Sequence, residues 1–432
     1  GGTGIFTGRI PFVWIGNVIS NPGSNPNLFP GIPLDEVPDD HVTQDNSILQ
    51  QAFDLNAAVE DFKWPQVWTT NLAVDQQLPG GLLGTLEVIY GNDLNAIVMR
   101  NFDLGEPVRT LDQDGRPFYS ELTDPTPGTL RQTVGGSQEL NPDGGAGVYT
   151  IDNSSEGYNV NVTAQLRKEF DFGLRSSLAY SYTESKNQLK STEIASVLWQ
   201  EMPIQGDPND PNLSDAEFGI RHRITGSSTY RFTWGRRYAT SIGAFFTVAE
   251  GNQFTISGGN RYSFIYSGDV NGDGSGSNDL IYVPASQDEI NLASIPGGPS
   301  AAEQWEALDA FIEQDDYLSE SRGQITERFG AVNPWFGNLD LRVLQDIVFR
   351  VAGKPQRVQL SLDILNVPNL LNSDWGVRRV ARADATSPLE LVGFNNDGEP
   401  VFNFVGPSQT FIDDPDILSR WRMQFGIKYL FN

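Results

Sequence analysis

The sequence predicts an all-β fold, an antiparallel transmembrane β-barrel with long loops, on three observations. Whole segments alternate apolar and polar residues, the connections between them alternate short and long, and the composition favours strands and turns. Aromatics make up 11% of the 432 residues, and 44 glycines and 26 prolines accompany them, a mixture that suits strands and loops better than helices. No run of 18 or more apolar residues is present, which excludes a membrane-spanning helix on length. Strands remain able to cross, because their signal per segment is weak.

Alternation is what a strand with two different environments on its faces must show. In "YNVNVTAQLRKEF" the apolar set is Tyr158, Val160, Val162, Ala164 and Leu166, with polar residues between. In "FGIRHRITGSSTYRFTW", Ile220, Ile224, Tyr230, Phe232 and Trp234 share one parity, while Arg221, Arg223, Thr225 and Arg231 take the other. His222 falls on the apolar parity near one end, which reads as an interfacial residue rather than a ligand. Val358, Leu360, Leu362 and Ile364 repeat the pattern, and Trp421, Met423, Phe425, Ile427, Tyr429 and Phe431 show it most strongly. A soluble sandwich also alternates, but its strands average about five or six residues. These segments run longer and end in Trp or Tyr, as in a barrel with lipid outside and water or a plug inside.

Nine strands are expected, near 65–78, 82–102, 157–170, 173–186, 218–233, 237–250, 334–351, 356–372 and 418–431. Short connections fall at Leu78–Gly81, Asp171–Gly173, Trp234–Arg237 and Ala352–Gln356; long ones cover about 103–156, 187–217, 251–333 and 373–417. Outer-membrane barrels are built this way, with short periplasmic turns and long extracellular loops. Residues 1–64 are accordingly assigned to an extracellular loop region, Gly1 and its neighbours being the crest of a strand, and 65–432 to the barrel. Nine strands cannot close a bacterial single-chain barrel, and open edges are not tolerated in lipid. Either the first residues complete a tenth strand or, as we favour, much of the barrel lies outside this chain.

A formal charge of −26 excludes binding nucleic acid through its phosphates. The acid concentrates at Asp35, Glu36, Asp39 and Asp40, at Asp315 and Asp316, and at Asp413, Asp414 and Asp416, as solvated loops, or as an acidic vestibule or divalent-cation surface. Zero cysteines rule out a disulfide scaffold and are compatible with an oxidising periplasm.

The sharpest local motif is "SGDVNGDGSGSNDLIYVP". Asp269, Asn271, Asp273, Ser275 and Ser277 supply oxygens at alternate positions and Gly274 permits the turn, as in a calcium loop of D-x-N-x-D-G type. The twelfth position is Leu280, and the nearest acid is Asp279 one residue early, so the loop is not an EF-hand. It reads as a structural calcium loop with Asp269, Asn271, Asp273, Ser275, Ser277 and Asp279 as ligands, or as a solvated Asx-rich turn. "AAEQWEALDAFIEQDDYLSES" has helical spacing, with Trp305, Leu308, Phe311 and Ile312 on one face, and suits a packed lid helix better than a partner-docking one. The histidines His41 and His222 and the scattered serines form no catalytic constellation, so no enzyme is expected.

Together, "GGTGIFTGRIPFVWIGNVISNPG", "DFKWPQVWTTNLAVDQQLPGGLLGTLEVIYGNDLNAIVMRNFDL", "FGIRHRITGSSTYRF", "GDVNGDGSGSNDLIYVP", "LDILNVPNLLNSDWG" and "SRWRMQFGIKYLF" resemble the C-terminal part of Oar-like TonB-dependent outer-membrane receptors of the Bacteroidota type. The resemblance implies a barrel of about 22 strands around an N-terminal plug, with the plug, the remaining strands and the segment that contacts the TonB complex lying outside this chain. It also implies energised transport of an unidentified substrate through the outer membrane. Phe6, Trp14, Trp199 and Trp375 are candidate substrate contacts, although such aromatics more often serve packing. Two rival readings are a barrel subunit or protein-binding platform of a surface assembly, with a lipoprotein or other protein partner, and a secreted calcium-binding adhesin.

Overall fold

The computed structural model describes residues 1–20, 55–126, 129–132, 147–189, 194–251 and 259–431. Ten long-range strands lie side by side in its largest sheet: β1 (Gly2–Thr7), β2 (Gln66–Leu78), β3 (Leu82–Asn101), β4 (Tyr158–Glu169), β5 (Leu174–Asn187), β6 (His222–Trp234), β7 (Tyr238–Ala249), β8 (Phe336–Val351), β9 (Lys354–Leu365) and β10 (Arg422–Phe431). Each pairs antiparallel with its neighbours in chain order.

Register turns the sequence alternation into two continuous faces. Leu174, Tyr230, Ile242, Val343, Leu362 and Phe425 stand opposite one another across six strands. Val74, Leu86, Ala164, Tyr180, Ile224 and Val248 form a second such row. This outer face is exposed, with Phe425 at 75% and Ile427 at 80%. The inner face is polar: Arg342 pairs with Asp363 at 3.0 Å, Arg231 with Asp346 at 3.2 Å, and Ser177 meets Ser227 at 2.8 Å. Apolar residues that face outward without a protein partner can only be stable against lipid or another apolar layer.

Aromatic rings close both ends of the apolar band. At the short-turn end Trp234 stacks on Tyr238 at 4.7 Å and Phe349 on Tyr429 at 6.3 Å. At the other end His222 lies between Tyr180 and Trp335, and its Nδ1 is 2.8 Å from the Tyr180 hydroxyl. Amphipathic rings concentrate where an apolar slab meets water. The tightest turn is Ala352–Gly353, with φ of 52° and 79°, the pair of positive values that a two-residue type I′ hairpin requires.

The long connections do not remain separate loops. Segments 103–122, 259–332 and 378–411 converge on one apolar core containing Leu111, Phe118, Phe264, Tyr266, Ile281, Phe311, Leu389 and Phe402. Phe264, Phe118 and Phe402 are fully buried, and Tyr266 stacks on Phe402 at 4.6 Å. Helix α1 (Phe12–Ser20) and helix α2 (Ala195–Gln200) belong to a second, smaller core with Met99 and Tyr149. Helix α3 (Ala301–Glu313) starts at a capping box between Ser300 and Glu303 and buries Leu308, Phe311 and Ile312, so the expected lid helix is packed. Helix α4 (Asp316–Glu320) follows, capped by Asp315. We call this loop assembly the cap.

Several expectations change. Residues 2–7, assigned to the loop region, form a tenth strand, because Gly2–Thr7 exchange ladder bonds with Gln66–Asn71. The strand expected over 356–372 ends at Leu365: Asn366 adopts a left-handed conformation (φ 55°) and a short helix over Val367–Leu371 follows. The strands expected from 218, 334 and 418 begin at His222, Phe336 and Arg422. The acidic group Asp35, Glu36, Asp39 and Asp40, and His41, lie outside the described residues.

Candidate functional site

Two places concentrate polar side chains that the fold alone does not explain. The first is the turn at 269–279, wedged between the cap core and the neighbouring connections. Its conformation follows from three short acceptors. Asp269 Oδ1 accepts from the backbone N–H of Gly272 at 2.6 Å and of Asp273 at 3.1 Å, and its Oδ2 from Gly274 at 2.9 Å. Asn271 Oδ1 accepts from the Asp273 N–H at 2.9 Å, and Asp273 Oδ1 from the Ser275 N–H at 2.8 Å. Gly272 (φ 74°) and Gly274 (φ 96°) supply the left-handed backbone, and a Cβ at Gly272 would meet the Cβ of Ser120 at 2.6 Å.

Of the six residues assigned to a metal from sequence, Asp269, Asn271 and Asp273 are brought together. Ser275 is turned aside, its hydroxyl donating to the Gln200 carbonyl. Ser277 is exposed. Asp279 is buried but committed elsewhere: Oδ1 pairs with Arg116 Nη1 at 3.0 Å, and Oδ2 accepts from the N–H groups of Val270 and Asn271. Among the described residues no three acids or histidines converge on a metal-sized point. Burial pushes the Asp273 carboxyl up, and nearby Asp279 adds to the effect; burial does the same to Asp269, reinforced by Asp273 and Asp279.

Sequence reasoning missed Arg116. It is almost fully buried, pairs with Asp114 at 2.7 Å as well as with Asp279, and donates to the Leu280 carbonyl. It lies 163 positions from Asp279, so no local pattern announces it. Arg328 was missed too. Buried and, among the described residues, without a carboxylate partner, it donates to the carbonyls of Asn187, Gln188 and Asn212, and burial lowers its pKa to about 10.

The second place is a groove of about 270 Å³ on the inner face beside the cap, bordered by Arg223, Arg378, Arg422 and Asp340. Arg378 is held by Asp414 at 3.5 Å, and Asp340 accepts from the Asn366 N–H at 2.9 Å. Among the described residues, Thr247 Oγ1, Asn338 Oδ1, Asn366 Oδ1 and Arg422 Nε, all buried on residues that line the groove, have no hydrogen-bond partner. Such atoms are costly to bury unpaired, so the groove suits a polar occupant.

The candidate aromatics divide. Trp14 and Trp199 are buried in the smaller core, and Trp199 donates to Asn209 Oδ1 at 3.0 Å; both are packing residues. Phe6 and Trp375 are exposed, and register puts Phe6 on the inner face beside Val67.

A family model described as outer membrane beta barrel domain matches residues 1–375. The structure is similar to that of the outer membrane transporter YddB from Escherichia coli, at 11% identity and a TM-score of 0.39, over 89% of this chain and 35% of that one. The chain therefore spans about a third of that transporter's length. No curated protein matches the chain.

Proposed function

The chain belongs to the outer membrane beta barrel domain family, and from that premise we propose that it is part of the wall of a TonB-dependent transporter of the Oar-like type. The observation that carries this reading is the inner face. It is largely polar and ends beside the cap in a groove where, among the described residues, Thr247 Oγ1, Asn338 Oδ1 and Arg422 Nε have no hydrogen-bond partner. In this reading the cap faces the exterior and the short turns face the periplasm. Substrate enters past the cap, meets the groove and the inner-face arginines, and is released along the wall when TonB pulls a plug aside.

Energised transport needs that plug, and the segment TonB grips, on the same polypeptide. Intact mass of the protein isolated from its native outer membrane tests this. The expected mass is well above the 47.6 kDa of the present chain; a mass of 47.6 kDa contradicts the transporter. One observation favours a second reading, a protein-binding platform: the cap has a core of its own and so presents a rigid surface. The smaller mass, with the protein recovered in a stable complex, would support that reading instead.

A further inference from the structure

The acid content of the 269–279 turn is not by itself evidence of a ligand, but two side chains in it are. Asp273 is 5% exposed, and among the described residues no Lys or Arg reaches it. Its Oδ2 is met instead by two amide heads, Asn271 Nδ2 at 3.1 Å and Asn278 Nδ2 at 2.8 Å. A buried carboxylate without a counter-charge is strongly unfavourable. Asn278, in turn, is fully buried, its Nδ2 donates to Asp273, and among the described residues its Oδ1 has no hydrogen-bond partner. An amide oxygen left without a donor beside an unneutralised carboxylate is the environment a hard cation completes.

We propose that this turn binds one divalent cation of calcium type through the carboxylates of Asp269 and Asp273 and the amide oxygens of Asn271 and Asn278. Asp279 is not counted as a ligand, because the Arg116 guanidinium already matches its charge; it anchors the turn to the 103–122 segment. Two carboxylates match the charge of the ion, and amide oxygens are ordinary calcium ligands. This assignment does not depend on the transport reading.

The location gives the ion its consequence. The Tyr119 N–H donates to the Asn271 carbonyl at 2.8 Å, the Ile204 N–H to the Asn278 carbonyl at 2.8 Å, and the Ser267 N–H, just before the turn, to the Leu389 carbonyl at 2.9 Å. The turn thus holds backbone from two of the other long connections, and Ser267 beside it reaches the third. Fixing it with a cation locks the cap, because the ion adds its binding energy only to the arrangement in which the ligands are gathered.

The test uses the chain purified in detergent and stripped with chelator, titrated calorimetrically with calcium. One site is expected, together with slower protease cleavage within the cap when calcium is present. Asp273→Asn and Asn278→Leu are each expected to weaken calcium binding by about tenfold or more, whereas Asp279→Asn retains it. No binding heat from the wild-type chain at about 10 mM calcium, beyond the weak end of extracellular sites, would overturn the proposal. So would a titration in which Asp279→Asn abolishes binding and Asn278→Leu does not.

Discussion

The wall and the cap solve opposite burial problems. In the wall, Phe425, Ile427 and Leu72 point away from the protein, and charged pairs such as Arg342–Asp363 line the inside. In the cap, Phe264, Phe402 and Phe118 are enclosed, as in a water-soluble domain. One chain passes between the two regimes at the strand ends that carry the long connections, and the aromatic rings around His222 and Trp335 mark the crossing. The contrast teaches that apolar residues of the same kinds need not fold for the same reason: the wall is defined by its backbone ladder and its outer solvent, the cap by packing.

The largest expected effect that sharpens this comparison is a truncation made in both regions. Phe402→Ala, in the cap core against Tyr266, is expected to cost about 3–5 kcal/mol. The readout is rapid proteolysis of the cap with the wall intact. Phe425→Ala, at 75% exposure on the outer face, is expected to change detergent-state stability little, because no protein cavity forms. Equal losses at the two sites would break the distinction.

Next comes an inside-against-outside pair within one strand. Val343 lies on the apolar row and Leu344 faces inward between Ser241 and Ser361. Val343→Arg is expected to cost about 2–4 kcal/mol if it sits near the bilayer midplane, measured by unfolding in lipid vesicles. Leu344→Arg, facing water, is expected to cost well under half of that. A reversed order would place the lipid on the wrong face.

These predictions rest on parts of the fold that were legible in the sequence to different degrees. Strands β4, β6, β9 and β10 were readable because a period of two persists along them, which a two-faced strand sustains. Strand β1 was not separated from its loop: the six residues GTGIFT are short and glycine-rich, and what stabilises them is pairing with β2. The early end of β9 depends on Asn366 adopting a left-handed backbone, a feature of local conformation that alternation does not report. The cap core was the least legible, since Leu111, Phe264 and Phe402 come from connections far apart in the chain and carry no common period. At the 269–279 turn the spacing of Asp269, Asn271 and Asp273 revealed the motif. The diversion of Asp279 to Arg116 and the buried Asn278 depend on contacts with other segments.

Smaller effects test the local devices. Ser300→Ala removes the hydroxyl that accepts from the Glu303 N–H and is expected to cost about 1 kcal/mol, seen as a lower unfolding midpoint for the cap. Ala352→Gly relieves a non-glycine residue held at φ 52° and is expected to stabilise the wall hairpin by about 1 kcal/mol. Destabilisation by that change would show that Ala352 makes contacts outweighing the strain.

The central claim, that one face of the sheet meets lipid and the other water, can be measured directly because the chain has no cysteine of its own. Single cysteines placed in turn at 338–347 and spin-labelled in lipid vesicles report accessibility to oxygen and to a water-soluble nickel complex. Oxygen is expected to dominate at Leu339, Leu341, Val343, Gln345 and Ile347, and nickel at Asn338, Asp340, Arg342, Leu344 and Asp346, the parities fixed by the register of β8 with β7 and β9. Equal nickel accessibility at both parities would contradict the account.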